Sequence, residues 1–219
     1  MDLQHWTGVP RPERAIIDGR YSKLEPLDRV KHGRNLWAAS RAPGAAERFR
    51  YLFEEPPATL ADVETWIDRS AASSDPLFSA VIDKVTGRAE GRQALMRIEP
   101  VHGVIEIGSI LWGPAIARTR IATEALYLAA SHVFEKLGYR RFEWKCNNLN
   151  EPSKRAAVRF GFAFEGIFRQ HMVVKGMNRD TAWYAMTDGE WPRLKAGYET
   201  WLQPANFDAA GQQKAKLVF

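Results

Sequence analysis

The chain has 219 residues, a formal net charge of +5 and a sequence pI near 9.4, and 45% of its residues are hydrophobic. This profile is typical of a soluble globular domain and excludes a disordered or fibrous chain. The single cysteine excludes an internal disulfide and a cysteine-rich zinc site. No apolar run reaches the ~18–20 residues that a membrane span needs. Because the N-terminus lacks a secretory signal and a lone thiol suits a reducing compartment, we expect a cytoplasmic protein.

The positive charge is concentrated in one part of the chain. Residues 113–160 carry nine Lys or Arg against four Asp or Glu, whereas the rest of the chain has no net charge. A surface that binds nucleic acid is expected to spread its cations more widely. The pattern therefore favours a local site for a small anion.

The first half of the chain predicts an extended arm, three helices and an antiparallel meander. Pro10 and Pro12 indicate an arm over residues 1–14, and Thr59 followed by Asp62 has the pattern of a helix N-terminus. The predicted elements are a strand around 15–24, helices over 27–40 and 45–53, a helix from Thr59 to the Ser/Asp-rich stretch 70–75, and strands over 77–83, 91–98 and 103–112.

The second half predicts a long helix, a strand, a short helix and a hairpin. An apolar stripe at helical spacing begins at Ile121 and includes Val133, and Gly138 provides a stop signal. The predicted elements are a helix over 121–137, a strand over 140–146, a helix over 152–160, strands over 162–173 and 179–187, a helix over 191–201 and a polar tail of uncertain order over 204–219. Together with the first half, this order predicts a mixed α/β sheet with helices on both faces.

The segment that follows the third meander strand has the residue types of an anion site. After a Gly-Pro turn, Arg118, Thr119 and Arg120 immediately precede a predicted helix, and Thr123 lies in its first turn. Free backbone amides, a positive helix end and guanidinium groups together form a cradle for pyrophosphate. A solvated turn before a helix explains the same residues, and their spacing alone leaves both interpretations open.

Three segments carry a more specific pattern: RTRIATEA (118–125), NNLNEPSKRAAVRFGFAFEGIFRQ (147–170) and GMNRDTAWYAM (176–186). In these segments the sequence resembles the GNAT superfamily of N-acyltransferases, and within it the RimJ/RimL-type branch, which includes ribosomal-protein N-terminal acetyltransferases. The resemblance implies one α/β (α+β) domain over 15–203, with a mixed, mostly antiparallel sheet, a splayed parallel strand pair and helices on both faces. Residues 1–14 are then an N-terminal arm and residues 204–219 a C-terminal tail.

The resemblance also implies acetyl-CoA, or another acyl-CoA, as co-substrate, and no metal. The family's Q/R-x-x-G-x-G/A loop corresponds to residues 117–122, where Ala117 replaces Gln or Arg and Arg120 replaces the central Gly. A bulge near Gly108 would free an N–H for the thioester oxygen. The implied cofactor contacts are Ser109, Ile110, Leu111 and Trp112 on the strand, Arg118, Thr119, Arg120, Ile121, Ala122 and Thr123 in the loop and helix, and Asn150 and Ser153.

Three residues are the implied catalytic candidates, and each has a plain structural alternative. Glu106 would act as the base, directly or through water, yet its alternation with two isoleucines also fits the polar face of a strand. Ser153 would protonate the leaving thiolate, yet capping of the next helix by Asn150 explains this stretch as well. His171 is an alternative base near neutral pH, or a surface histidine on a strand.

The implied reaction is the transfer of an acyl group, acetyl in the first place, to a primary amine by direct attack in a ternary complex. A peptide or protein N-terminus and a small amine are both open as acceptor. Glu54 and Glu55 either face a cationic amine or form a solvated acidic turn.

The departures at Ala117 and Arg120 motivate a second hypothesis, a non-catalytic CoA-binding or regulatory module. A nucleic-acid partner rests on the pI alone, no membrane partner is expected, and the aromatic C-terminal segment leaves a homodimer open.

Overall fold

Strands of alternating apolar residues build one sheet in the computed structural model, which describes residues 3–219; Met1 and Asp2 of the predicted arm lie outside this range. The strands are β1 Ile17–Asp18, β2 Ser22–Pro26, β3 Leu77–Asp83, β4 Ala89–Glu99, β5 Val104–Trp112, β6 Arg141–Asn147, β7 Ala163–Val174 and β8 Met177–Thr187. They lie in the order β1-β2-β3-β4-β5-β6-β8-β7.

Most helices begin and end close to the predicted residues because their caps are local, but the helix predicted over 45–53 already ends at Phe49. In the clearest case, Thr59 Oγ accepts the Asp62 N–H at 3.2 Å and the Asp62 carboxylate accepts the Thr59 N–H at 2.8 Å. This reciprocal capping box confirms the predicted start of that helix. The helices are α1 Arg29–Arg41, α2 Ala45–Phe49, α3 Leu60–Ala72, α4 Arg120–Ser131, α5 Glu151–Arg159 and α6 Trp191–Trp201.

The sheet is covered on both faces, as the sequence predicts. Along β3, Val81 packs into a core that includes Leu126 of α4 and Leu194 of α6. Its neighbours Ala80 and Ile82 pack into a second cluster, which includes α1 and α3. Because successive strand residues point to opposite faces, the two clusters lie on opposite sides of the sheet.

A splay between two parallel strands creates the opening that the site occupies. β5 and β6 are the parallel pair in the described sheet, and the other neighbours are antiparallel. Their register ends at Ile107 opposite Trp144, although both strands continue beyond this point. The C-terminal halves of the two strands therefore diverge, which confirms the predicted splayed pair.

The single strand predicted around 15–24 is wrong, because the segment forms the β1–β2 hairpin. The carboxylate of Glu124, on α4, accepts the N–H groups of Arg20 at 2.9 Å and of Tyr21 and Ser22 at 2.6 Å each, as well as the Ser22 hydroxyl at 3.0 Å. A buried acceptor more than 100 positions away stabilises this turn. Local propensity does not indicate such a contact.

The long helix predicted over 121–137 is α4 followed by a π-helical turn, His132–Lys136. The Leu137 N–H bonds to the His132 carbonyl at 3.0 Å, and Gly138 then adopts φ = 73°. Gly138 thus provides the predicted stop, but the last turn of the helix is widened.

The C-terminal tail, predicted to be polar and of uncertain order, packs against α6. Phe207 forms an isolated bridge with Gln213, and the Trp201 indole N–H donates to Gln213 and to the Ala215 carbonyl, both at 3.0 Å. The Phe219 ring lies 5.2 Å from that of Tyr198. Aromatic residues of this segment therefore pack against α6 of the same chain.

Candidate active site

β5 carries a bulge in its second half. The β4–β5 register shifts between Arg92 and Ala94, and Ser109, opposite this shift, has φ = 48°. Gly108 precedes it, and a Cβ at that position would stand 2.5 Å from Met96 Sδ. A left-handed residue beside a glycine turns the local backbone groups in a new direction. The bulge predicted for this strand is confirmed, and it lies where β5 and β6 begin to diverge.

A buried arginine that was not predicted supports the bulge from β4. Arg92 Nη1 donates to the Ser109 carbonyl at 3.0 Å, and its Nη2 is paired with Glu54. Glu54 belongs to the connection between α2 and α3, so Arg92 links this connection to the bulge. The neighbouring Glu55 is paired with Lys175 at 3.1 Å. Both carboxylates of the predicted acidic turn thus form ion pairs within the chain.

A cavity of about 670 Å³ opens where β5 and β6 diverge. Its size lies in the ~300–1,000 Å³ range of small-molecule sites. The bulge, the loop before α4, the start of α5 and the α2–α3 connection form its walls. The predicted residues that line it are Glu106, Ser109, Ile110, Leu111, Trp112, Arg118, Asn150 and Ser153. The predicted residues outside its lining are Thr119, Arg120, Ile121, Ala122, Thr123 and His171.

The loop before α4 ends in a helix N-terminus with unpaired amides. Thr119 is the N-cap and its Oγ accepts the Ile121 N–H at 3.1 Å, while Arg118 adopts φ = 64°. Within residues 3–219, the amides of Arg118, Arg120 and Ala122 donate no hydrogen bond. Free amides at a helix N-terminus favour an anion. The segment therefore keeps the features of a phosphate site although the central Gly of the family's loop is replaced.

The two arginines of this loop point to different surroundings. Arg118 is exposed and lines the cavity. The Arg120 guanidinium instead lies 4.5 Å from the ring centroid of Tyr21 and 5.1 Å from that of Phe207. Thr123 Oγ donates back to the carbonyl of the helix N-cap at 3.1 Å. The Arg120 side chain thus packs on two aromatic rings outside the cavity, and Arg118 is the arginine of this loop that lines the cavity.

The start of α5 brings a hydroxyl to the cavity, and the end of β6 brings a thiol. Asn150 Oδ1 accepts the Ser153 N–H at 3.2 Å, so Asn150 caps α5, as the structural alternative for this stretch predicts. The Trp144 indole N–H donates to Ser153 Oγ at 3.0 Å. Because indole only donates, the hydroxyl proton of Ser153 stays available to another acceptor. Burial raises the pKa of the adjacent Cys146 thiol, which keeps it protonated.

Six side chains of alternating charge cross the sheet beside the cavity, and we call them the charge ladder. Its members, in order from β7 to β4, are Glu165, Arg141, Glu143, Lys145, Glu106 and Arg97. Glu106 is 3% exposed, and its Oε2 lies 2.6 Å from Arg97 Nη1 and 3.2 Å from Lys145 Nζ. The other oxygen, Oε1, lies 3.2 Å from the place where a Cβ on Gly108 would be. Glu106 therefore presents one engaged oxygen to the ladder and one oxygen to the bulge.

A threonine on β8 joins His171 to a further arginine. Thr181 Oγ lies 2.9 Å from His171 Nδ1 and accepts the Nε–H of Arg179 at 3.1 Å. Partial burial and the nearby cations Arg179, Arg97 and Lys145 lower the pKa of His171 below its usual value. His171 is thus a neutral imidazole at the rim of the site near neutral pH.

Comparison with known proteins assigns a family to this geometry. The family model described as "Acetyltransferase (GNAT) domain" matches residues 27–163. The chain belongs to the GNAT family of acetyltransferases. This acetyltransferase is 62% identical to a GCN5-related N-acetyltransferase from Brucella melitensis, with a TM-score of 0.96 over 98% of this chain and 97% of that chain.

Other solved structures extend the comparison. A probable GNAT-family acetyltransferase from Chromobacterium violaceum ATCC 12472 is 38% identical, with a TM-score of 0.80 over 88% of this chain and 96% of that chain. An acetyltransferase from Salmonella typhimurium, described as modifying the N-terminal serine of ribosomal protein L7/L12, is 19% identical with a TM-score of 0.69, over 79% and 99% of the two chains. At that identity the likeness shows the shared fold. Comparison with the curated proteins gives no match.

The residues of this acetyltransferase suit the acyl-CoA that its family uses. The bulge and the free edge of β5 offer backbone groups, and the α4 N-terminus offers unpaired amides beside Arg118. In residues 3–219, no three His, Cys, Asp or Glu side chains are grouped so that they could hold a metal ion. No helix in the described range is long and apolar enough to cross a membrane.

The site also contains strand residues that were not predicted, among them Arg92, Arg97, Lys145 and Arg179. Each is charged and lies in a strand that is largely buried, and this is the signal that the sequence offered. Arg92 stands in the buried first half of β4, Lys145 lies between two apolar residues of β6, and Arg179 is buried in β8. Arg92 and Lys145 reach Ser109 and Glu106 on β5, so the signal identifies the residues but not all of their contacts.

Proposed function

We propose that this acetyltransferase moves an acetyl group from acetyl-CoA to a primary amine that attacks the thioester directly in a ternary complex. The observation that carries the proposal is the bulge at Ser109, which lies at the mouth of the splay in the same cavity wall as Arg118. Backbone donors at a bulge suit the oxyanion that forms on the thioester carbonyl. Ser109 to Trp112 would hold the pantetheine arm, and Arg118 to Thr123 the pyrophosphate.

Glu106 takes the amine proton in this proposal, directly or through a water molecule. Among residues 3–219, two carboxylates line the cavity, those of Glu47 and Glu106, and that of Glu106 lies beside the bulge. Its Oε1 points to the bulge while Oε2 is held by two cations, so the group has a fixed orientation. A fixed acceptor close to the reaction centre is what general-base catalysis requires.

Ser153 protonates the leaving thiolate in this proposal. Ser153→Ala is expected to lower kcat by about 10²-fold with the Kd for acetyl-CoA unchanged, because positioned proton transfer typically contributes 10²–10⁴-fold. Steady-state kinetics together with a titration of acetyl-CoA check this. The control is Trp144→Phe, which removes the indole donor but keeps the hydroxyl and should retain most of the activity. A full rate in Ser153→Ala would leave this residue a purely structural role at the start of α5.

The pH dependence separates the two candidate bases. If His171 took the proton, activity would be lost as the pH falls through a pKa that lies below the ordinary value of about 6.5. With Glu106 as the base, we expect His171→Gln to keep the acid limb of the kcat/KM profile in place. If the acid limb of the kcat/KM profile disappears in His171→Gln, the general base is the imidazole of His171 and not Glu106.

The acceptor is proposed to be a peptide or protein N-terminus or a small amine. The N-terminal interpretation, and with it the RimJ/RimL-type branch, is supported by the fold shared with the enzyme from Salmonella typhimurium that modifies the N-terminal serine of L7/L12. A cytoplasmic setting is proposed from the single thiol. Dimerisation stays a prediction.

The proposed function is tested with the purified chain. We expect acetyl-CoA and CoA to raise its thermal midpoint, and release of free CoA thiol to depend on an added amine. Stabilisation by CoA without turnover of any amine would favour the non-catalytic module that Ala117 and Arg120 motivate. No stabilisation by either CoA or acetyl-CoA would overturn the proposal.

A further inference from the structure

Arg179 is a buried arginine in the cavity wall whose charge no carboxylate balances. Its side chain lines the cavity, and the residue is 6% exposed. Its Nε donates to Thr181 Oγ, and its guanidinium lies 5.5 Å from the ring centroid of Phe53. Within residues 3–219, no Asp or Glu oxygen lies within 4.0 Å of it. Buried arginines are normally paired, so this arrangement is costly unless a ligand supplies the anion.

The carboxylates near this wall are already engaged by other cations. Glu106 pairs with Arg97 and Lys145 in the charge ladder, which contains equal numbers of acidic and basic groups. Glu47, the other carboxylate of the lining, lies 3.8 Å from Arg50. Rearrangement of these side chains toward Arg179 would break an existing ion pair. The positive charge of Arg179 is therefore the surplus charge of this part of the site.

Arg179 lies away from the loop that is proposed to hold the pyrophosphate. Its electrostatic neighbours are Arg97, Glu106 and Cys146, and burial together with Arg97 lowers its pKa. Phe53, whose ring lies beside the guanidinium, belongs to the α2–α3 connection. Arg118 and the α4 N-terminus, proposed to hold the pyrophosphate, are not among these neighbours. A separate anion is thus needed at Arg179.

We propose that Arg179 binds an anionic group, a carboxylate or a phosphate, carried by the acceptor amine itself. The inference rests on the proposed function and names the chemical class of its acceptor. A guanidinium offers two parallel N–H donors that match such a group in a bidentate pair. The same surplus charge repels polycations, so polyamines and aminoglycosides are poor acceptors. It also favours the neutral form of a nearby amine, which is the form that attacks the thioester.

Pairs of acceptors with and without a carboxylate test this proposal, and the carboxylate is placed at two different positions relative to the amine. One arm compares serine with serinamide, where the carboxylate is next to the amine. The other compares N-terminal tripeptides that differ only by Asp or Asn at the second position. In at least one arm the acidic acceptor is expected to have a kcat/KM about 10- to 100-fold above that of its neutral partner, as for hydrogen bonds to charged groups. The arm that shows the preference identifies the source.

Variants assign the preference to Arg179. Arg179→Gln should abolish it by raising the KM of the acidic acceptor, and Arg179→Lys should retain part of it. Arg169→Gln is the matched control: it removes one exposed arginine from the same β7–β8 hairpin, outside the cavity lining, and should behave as wild type. The Kd for acetyl-CoA should be equal in all four proteins. If Arg179→Gln does not fold, the lysine variant and the matched acceptors with the wild-type enzyme carry the test.

Each outcome decides between the proposals. Turnover without an acidic preference, or a preference that Arg179→Gln leaves intact, overturns this inference and leaves the acetyltransferase proposal standing. Weaker acetyl-CoA binding in Arg179→Gln, with the Arg169→Gln control unchanged, overturns it as well, because Arg179 would then serve the donor. No turnover of any amine overturns the proposed function and the inference with it.

Discussion

Replacing Glu106 with glutamine is expected to lower kcat by about 10³-fold, within the 10²–10⁴-fold range of general acid–base catalysis. Glutamine has the same shape and fills the same space beside the bulge, but it cannot take a proton from the amine. Binding of acetyl-CoA does not involve this group, so its Kd should stay unchanged. Single-turnover rates and a calorimetric titration of acetyl-CoA measure the two quantities.

The charge ladder complicates this substitution, and Glu143 provides the control. Glu106→Gln leaves Lys145 and Arg97 with weaker partners, which destabilises the fold as well as the chemistry. Glu143 is 5% exposed and pairs with Lys145 at 2.6 Å and with Arg141 at 2.7 Å, yet it does not line the cavity. Glu143→Gln should therefore lower the thermal midpoint similarly while kcat stays near wild type. Equal losses of kcat in both variants would mean that the ladder, and not a proton acceptor, is what the reaction needs.

Replacing Glu124 with glutamine is expected to lower the free energy of unfolding by about 3 kcal/mol. The buried carboxylate accepts four hydrogen bonds from the β1–β2 turn. In the glutamine variant, the side-chain NH2 group replaces one carboxylate oxygen and faces N–H or O–H groups that also donate. The carboxylate packs closely on Gly19, since a Cβ there would stand 2.6 Å from Glu124 Oε2. Urea unfolding of the purified protein measures the change.

Glu199 is the matched control for this stability effect. It is an exposed carboxylate on α6 that accepts one hydrogen bond, from the Tyr127 hydroxyl at 3.2 Å. Glu199→Gln should cost less than about 1 kcal/mol, because exposed polar contacts contribute little. Similar losses in the two variants would contradict the role assigned to Glu124.

Elements whose signals are local were predictable from the sequence. The capping box of Thr59 and Asp62, the start of α5 at Asn150 and the stop at Gly138 depend on residues a few positions apart. Turns and apolar periodicity placed the strands of the meander in the same way. The resemblance then indicated the loop over 117–122 and the bulged strand. Local interactions are encoded in short windows, so these inferences needed no fold.

Contacts between distant strands were not predictable. Alternation along β5 indicated that Glu106 lies on a polar face, but only its register opposite Met96 and Glu143 brings Arg97 and Lys145 to it. Likewise, the sequence left open whether Glu54 faces a cationic amine or lies in a solvated turn, whereas the fold pairs it with Arg92.

The sequence by itself determined most of the elements of this protein, the family pattern and the concentration of positive charge near one helix N-terminus. The tertiary structure alone decided which charges are satisfied and which remain. It pairs Glu54, Glu55 and Glu106 with cations and leaves Arg179 without a carboxylate. The physical reason is that sheet register, and not sequence spacing, sets the few ångströms over which ion pairs form. The charge that the acceptor meets is therefore a property of the fold.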